Sequence, residues 1–345
     1  MTASERLSSM PARRDGRTGS ISVCIATCDR PQRLASTLEA LFSQTRPPEE
    51  IIVSEPSEGR GRRVVESFAE SHPSVRVRYV QADRSALPWQ RWWAFQHSSG
   101  ALIVFLDDDV RLRGSALETL DRSYIGLFES HIPVAGIGFL MSFEGQNPPQ
   151  RDTHSLRERW LGTGDEPAGS VTPGGLTVSL FGSSTKSLVE VGVLWGGAMS
   201  FPREVLEEVS CLKNLVALYE AGLGRGEDAV LSYTARRKGR LFAITIPVAV
   251  HPLPGETSGP TPYAMAGWNL GLTHTWGRAH TMRWLAQEWS AYKKAWWRLV
   301  TLEVGRSFAG ALRRPWERNR WLRLAGTCYG ITHTLRHWAE IPPLP

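Results

Sequence analysis

Ala101-Leu-Ile-Val-Phe-Leu-Asp-Asp-Asp-Val110 is the stretch whose reading decides the fold. Ala101 to Leu106 is an unbroken apolar run rich in β-branched and aromatic types, bounded by Gly100 and by three acids. Such a run reads as a strand buried on both faces of a parallel sheet. Its carboxyl end then delivers Asp107, Asp108 and Asp109 to the edge where open α/β sheets bind ligands. Side chains two apart on an extended chain point the same way, so Asp107 and Asp109 are expected to converge while Asp108 faces elsewhere. Two converged carboxylates repel unless a cation lies between them. Oxygen ligands point to Mg²⁺ or Mn²⁺, a hard ion that leaves room for substrate phosphates. The plain alternative is a solvated acidic turn after a strand.

The neighbouring segments supply a sheet for this strand. Ser20 to Ala26 alternates toward a strand, and Thr27-Cys-Asp-Arg-Pro31 turns into a helix with Pro31 near its first position. Leu34, Leu38, Leu41 and Phe42 recur at helical spacing until Pro47-Pro48, and Glu50 to Ser54 is a second strand. Strand, helix and strand in this order make a parallel crossover unit. Arg62 to Ser71 predicts a helix, Val75 to Val80 a third strand, and Ala86 to Ser99 a helix heavy in aromatic residues that feeds the buried strand. Four strands alternating with three helices form a nucleotide-binding α/β half over residues 20–110.

Composition sets the outer limits. The 345 residues are 41% hydrophobic and 21% charged, which is globular and long enough for one large or two ordinary domains. Charges, Gly or Pro interrupt every apolar run before a bilayer could be crossed. Residues 1–19 are polar with no apolar core, so they read as a disordered leader and the chain is expected in the cytoplasm. Cys24, Cys28, Cys211 and Cys328 are scattered, and free thiols are expected. The net charge of +6 is uneven: from Pro262 onward there are twelve Lys and Arg against four Glu, a surplus of eight, leaving about −2 for the rest. No nucleic-acid partner is expected.

Ile21 to Pro31, Gln44 to Val53, Gly100 to Asp109 and Gly226-Glu-Asp-Ala-Val-Leu-Ser232, in this order, resemble the family 2 glycosyltransferases. The resemblance covers roughly residues 20–252. It implies a GT-A fold, an α/β architecture with a mostly parallel central sheet, and inverting transfer of a sugar from a nucleotide diphosphate. It also implies roles for individual residues. Thr27 and Asp29 lie in the loop that touches the nucleotide, Glu55 matches the acid that reads the base, and Arg91 matches an arginine that approaches the nucleotide. Asp107 and Asp109 match the metal-binding pair, with Asp108 on the donor side. A nucleotide-diphosphate sugar is the implied donor, a UDP-sugar by preference. The chain departs from the family at Ser54-Glu55-Pro56-Ser57, where two Asp followed by Gly or Asn and Ser are usual.

Residues 111–260 are expected to form the acceptor half of a catalytic domain spanning 20–260. Phe143 to Ser187 is weakly patterned and rich in Gly, Pro, Ser and Thr, with Arg151, Arg157 and Arg159 beside Trp160, and reads as a lid that keeps water from an activated donor, with a disordered connection as the alternative. In Leu194-Trp-Gly-Gly-Ala-Met-Ser200, Trp195 offers a face for a sugar, and Gly196 and Gly197 allow close backbone approach. The resemblance places an acceptor-side loop there; the alternative is a glycine turn with a core Trp. In the Glu227-Asp228 pair the resemblance places the general base, here Asp228, with Glu227 orienting the acceptor. The alternative is a pair of acids that only complement a helix dipole. His251, closing the last strand pattern, resembles a third metal contact; the alternative is a structural histidine.

Residues 261–345 differ in kind. They hold nine of the fourteen Trp, and Trp289, Tyr292, Trp296 and Leu299 recur at helical spacing among Lys293, Lys294 and Arg298. Rings beside cations predict an interfacial helical extension that meets an anionic membrane surface from the cytoplasmic side. The alternative is that the Trp side chains pack on the catalytic domain or on a second copy in a homo-oligomer.

The sequence therefore predicts a metal-assisted inverting glycosyltransferase acting on a glycan, lipid-linked or small-molecule acceptor. Two rivals are a nucleotidyltransferase of related fold and a non-catalytic membrane adaptor. The first lacks its Gly-rich loop, since Ala26 to Pro31 has no glycine, and the second would not need acids at both Asp107–Asp109 and Asp228.

Overall fold

The computed structural model describes residues 19–56, 59–143, 152–179, 186–209, 211–251 and 267–341. Of the expected leader only Gly19 is therefore described, and parts of the expected lid (144–151 and 180–185) lie outside the described residues. Along the chain the strands are β1 (Ile21–Ala26), β2 (Glu50–Glu55), β3 (Arg76–Gln81), β4 (Leu102–Asp107), β5 (Arg111–Leu112), β6 (Val134–Phe143), β7 (Leu188–Val191), β8 (Ala198–Pro202) and β9 (Arg240–His251). The helices are α1 (Pro31–Phe42), α2 (Gly61–Ser71), α3 (Leu87–Gln96), α4 (Ala116–Glu129), α5 (Leu156–Leu161), α6 (Arg203–Glu207), α7 (Cys211–Glu220), α8 (Glu227–Ala235), α9 (Gly267–Leu272), α10 (Arg278–Leu285), α11 (Trp289–Arg313) and α12 (Arg318–His337).

These elements divide into two compact units: residues 1–150, 180–214 and 231–259 in the first, and 151–179, 215–230 and 260–345 in the second. This differs from a single boundary at 260. The reason is packing: Leu161 and Leu176 are buried in one apolar cluster with Met282, Tyr292 and Trp296, so the segment read as a lid shares a core with the C-terminal helices.

The first unit is a nine-stranded mixed sheet in the order β3-β2-β1-β4-β8-β6-β9-β5, with β7 on β9. The pairings β1 with β2 and β4, β2 with β3, and β6 with β9 are parallel. Strand β8 runs antiparallel between β4 and β6. The continuous apolar runs explain the centre: every residue of β1 and β2 is buried, as are Leu102 to Leu106 of β4. At the edge, β3 alternates, with Arg76, Arg78 and Gln81 exposed and Val77 and Val80 buried. Charged residues at such an edge oppose pairing with another chain. Helix α1 begins at Pro31 and lays Leu34, Leu38 and Leu41 into the main core, each contributing about 1.5–3 kcal/mol by burial.

Register then brings the chemistry together. Ala26 pairs with Asp107, so the chain leaving β1 runs beside the three acids. Leu106 pairs with Ala198, which sets Gly196 and Gly197 beside the end of β4. Arg111 pairs with Val250, which sets His251 beside the turn after Asp109.

The second unit is helical. Of the stripe read as interfacial, Tyr292, Trp296 and Leu299 are buried in its core, so they form a packing face of α11, while Trp289 at the start of the helix is 41% exposed. Trp338 lies against Tyr292 and Trp296, with ring centroids at 5.9 and 4.9 Å. Helices α9 and α12 approach closely through small residues: a Cβ on Gly271 would lie 2.4 Å from the Arg323 carbonyl oxygen, and one on Gly326 2.2 Å from that of Trp268. Among the described residues no helix is long and apolar enough to cross a membrane. Helix α11 has the length at 25 residues, but Lys293, Lys294, Arg298, Glu303 and Arg306 interrupt it.

Candidate active site

The site lies where β1, β2 and β4 end. Thr27, one residue past β1, donates its N–H to the Ser54 carbonyl at 3.0 Å and its hydroxyl to Asp108 at 2.6 Å. Asp29 takes a left-handed backbone with φ 54°, a conformation Asp tolerates better than most residues. Its N–H donates to Glu55 at 2.7 Å, and its carboxylate receives a two-pronged bond from Arg60 at 2.8 and 3.1 Å. That hydrogen bond holds the Asp29 carboxyl below its ordinary range. Glu55 is fully buried and also accepts from the Tyr79 hydroxyl at 3.2 Å. Gln90, unremarked in the sequence, ties the two loops by donating to the carbonyls of Thr27 at 2.7 Å and Ser54 at 3.2 Å.

The three acids separate. Arg91, 1% exposed, donates to Asp107 at 2.8 Å and to the Gly196 carbonyl at 2.8 Å. Asp107 donates its own N–H to the Gly197 carbonyl at 3.0 Å. Asp108 is buried against Thr27 and Arg30. Burial pushes its carboxyl up to about 6 against the pull of Arg30 and Thr27, and Asp109 and Asp107 push the same way. Asp109 pairs with Arg33 at 3.0 Å and Arg30 at 3.6 Å, and His251 Nε2 lies 3.4 Å from its carboxylate.

The expected convergence of Asp107, Asp109 and His251 is thus only half assembled. Asp109 and His251 are adjacent, but among the described residues no group of three His, Cys, Asp or Glu side chains is gathered to hold a metal. The physical reason is that arginines supply the positive charge that close carboxylates need. Two carboxylates and an imidazole are nonetheless donor types that suit Mn²⁺ or Mg²⁺.

Arg30 and Arg33 carried a signal in the sequence. Basic residues at a helix N-terminus oppose its dipole, and α1 has no acid in its first turn to offset them. Asp108 and Asp109 do so from the end of β4.

Trp195 is half-buried against the main core, with Gly196 and Gly197 beyond it, and the Leu194 N–H donates to Ser232 of α8 at 3.0 Å. In the second unit, Glu227 is buried and accepts from the Tyr219 hydroxyl. Asp228, in the first turn of α8, accepts the Ala229 N–H at 2.8 Å.

Comparisons with known proteins agree with this architecture. Residues 22–123 match the family model described as glycosyl transferase family 2. No curated protein sequence matches. Among solved structures, a mannosyltransferase from Pyrobaculum calidifontis, in complex with GDP-Man and Mn²⁺, is similar at 16% identity, covering 95% of this chain and 92% of that one with a TM-score of 0.50. GalNAc-T7 with UDP, GalNAc and Mn²⁺ is similar at 14% identity and a TM-score of 0.51; 96% of this chain is covered, and 60% of that one. At these identities the likeness is one of fold, and the fold is GT-A.

Proposed function

We propose that this chain, whose residues 22–123 match the model of the family 2 glycosyl transferases, moves a sugar from a nucleotide-diphosphate donor to an acceptor hydroxyl with inversion. The observation that carries the reading is the gathering of Thr27, Asp29, Glu55, Arg91 and Asp107 to Asp109 at the carboxyl ends of parallel strands inside that domain. Nucleoside recognition falls to the Thr27–Asp29 loop and Glu55, and a UDP-sugar is the donor we favour.

Asp107, Asp109 and His251 would hold Mg²⁺ or Mn²⁺. Such an ion supplies charge stabilisation for a departing diphosphate. Arg30, Arg33 and Arg91 already place guanidinium charge at the same edge, and their N–H groups can shift from carboxylates to phosphate oxygens. Asp228 is the base that takes the acceptor proton, and Glu227, fixed by Tyr219, orients the acceptor. Trp195 with Gly196 and Gly197 would line the acceptor side.

The test is release and transfer of sugar from a panel of nucleotide sugars, with and without Mn²⁺. Asp228→Asn should lower transfer by about 10² to 10⁴ with donor affinity nearly unchanged, and Glu227→Gln should do less harm. Asp109→Asn should lose metal-dependent turnover while the fold survives. An Asp228→Asn enzyme that turns over normally would remove the base assignment, and absence of sugar release from every donor would remove the reading itself.

A second site of action is an anionic membrane surface met by residues 261–345. The observation favouring it is an exposed apolar strip of Phe308, Leu312 and Trp316, 50%, 56% and 77% exposed, next to Arg313, Arg314 and Arg318.

A further inference from the structure

Strand order sets the direction in which a donor lies. The sheet runs β2-β1-β4 at the site, and Asp107, Ala26 and Ser54 stand side by side in register. The acids at the end of β4, the Thr27–Asp29 loop after β1 and Glu55 at the end of β2 therefore form one row along the carboxyl edge. A donor with its diphosphate at Asp107 to Asp109 extends its nucleoside across β1 toward β2. The groups shown at that end of the row decide which base is accepted.

Glu55 does not show its carboxylate there. It is fully buried and both oxygens are engaged inward: Oε1 accepts the Asp29 N–H at 2.7 Å and Oε2 the Tyr79 hydroxyl at 3.2 Å. Two glycines close over it. A Cβ on Gly59 would stand 2.2 Å from Oε1 and one on Gly61 2.8 Å from Oε2, so a side chain at either position would collide with the carboxylate. What Glu55 controls is its neighbour. By holding the Asp29 N–H it fixes a left-handed backbone at φ 54°, and with it the point from which the Asp29 carboxylate projects.

The charged groups exposed beside Glu55 are Asp29 and Arg60, the residue just before α2. Their side chains are 56% and 66% exposed and meet as a fork, Nε to Oδ1 at 2.8 Å and Nη2 to Oδ2 at 3.1 Å. The fork leaves hydrogen-bonding capacity over. A carboxylate offers about four lone-pair sites, of which the fork takes one on each oxygen, and Nη1 has no part in it. An acceptor and a donor therefore stand side by side. An exposed pair of this kind is weak enough to adjust to a third group.

We propose that Asp29 and Arg60 read the base of the donor, Asp29 accepting a ring N–H and Arg60 donating to the carbonyl beside it, with Glu55 as the residue that positions Asp29. An edge with N–H next to C=O belongs to uracil, at N3 and O4, and to guanine, at N1 and O6. Cytosine and adenine present a ring lone pair beside an amino group instead. The carboxylate would then face a lone pair and the guanidinium an N–H, and both contacts are repulsive. This assignment rests on the nucleotide-sugar reading and deepens it: the donor carries uracil or guanine, and not cytosine or adenine.

The experiment is calorimetry of the full-length protein with UDP, GDP, CDP, ADP and pyrophosphate, each in the presence of Mn²⁺. UDP or GDP should bind about tenfold or more tightly than CDP and ADP, and the tighter of the two identifies the base. Arg60→Gln should erase most of that preference, and Asp29→Asn, whose amide can donate to a ring lone pair, should move it toward CDP. Pyrophosphate, which carries no base, should bind both variants as it binds the parent. Glu55→Gln should lower the preference less, as a higher donor KM with kcat retained. Arg122→Gln, exposed on α4, should change nothing. Because Asp29 and Arg60 are exposed, their variants keep the test open if Glu55→Gln does not fold. An unchanged preference in both variants would overturn the assignment. So would an equal loss of pyrophosphate binding, since the pair would then only hold the site together. Base preference as expected with no sugar transferred would count against the transferase reading alone. Sugar transfer without base preference would count against Asp29 and Arg60 alone.

Discussion

His280 sits edge-on to Trp276 with ring centroids 4.6 Å apart, and its Nε2 is buried without a hydrogen-bond partner among the described residues. Burial lowers its pKa to about 4, and the neighbouring His333 adds to the shift. A depressed folded pKa contributes stability that is present above the unfolded value near 6.5 and is lost as pH falls through about 4. His274 follows the same direction, also lowered to about 4. The melting temperature should therefore drop between pH 6.5 and 4, and His280→Phe, which keeps a ring against Trp276, should flatten part of that slope. Thermal unfolding of both proteins across this interval checks it; parallel slopes would show that protonation of His280 is tolerated in the folded state.

At the scale of elements, two glycines in helices make opposite predictions. A Cβ on Gly271 in α9 would meet backbone atoms of α12 at 2.4 Å, whereas one on Gly305 in α11 would meet nothing within 4 Å. Gly271→Ala should push the helices apart and cost about 1–3 kcal/mol. Gly305→Ala removes only backbone freedom and should stabilise by about 0.5–1 kcal/mol. Urea midpoints of the two variants decide, and a shift of the same sign in both would refute the close approach.

The same elements explain what could be read from the sequence. Strands β1, β2 and β4 were legible because a doubly buried strand needs an apolar run, and their carboxyl ends follow from parallel order. The partners of the acids were not. Asp107 meets Arg91 of α3 from sixteen residues earlier, and Asp109 meets Arg33 from seventy-six residues earlier, the second a pairing that the register of β1 against β4 brings about. The stripe of Tyr292, Trp296 and Leu299 was legible as one face of a helix. Periodicity marks an apolar face without saying whether protein or lipid covers it.

At the scale of the whole molecule, the membrane reading narrows to the end of α11 and the turn beyond it. Phe308 and Leu312 are four residues apart on one helix face, Trp316 follows in the turn, and arginines flank them. The full-length protein should bind vesicles containing anionic lipid at low salt and release them as salt rises, because charge steers the approach. Trp316→Ser combined with Phe308→Ser should reduce vesicle binding with sugar transfer to a soluble acceptor retained. Cosedimentation at two salt concentrations measures it, and indifference of the parent protein to such vesicles would eliminate this surface.

The second unit draws its core from chain segments far apart, with Leu161 and Leu176 at one end and Ile341 at the other. During synthesis the earlier segment leaves the ribosome on the order of ten to thirty seconds before Ile341 does, at ordinary translation rates. Most of the side chains that cover Leu161 and Leu176, from Ala279 to Val300, are made more than a hundred residues later, so this core closes only after a long stretch of synthesis in which its first members lack their native covering.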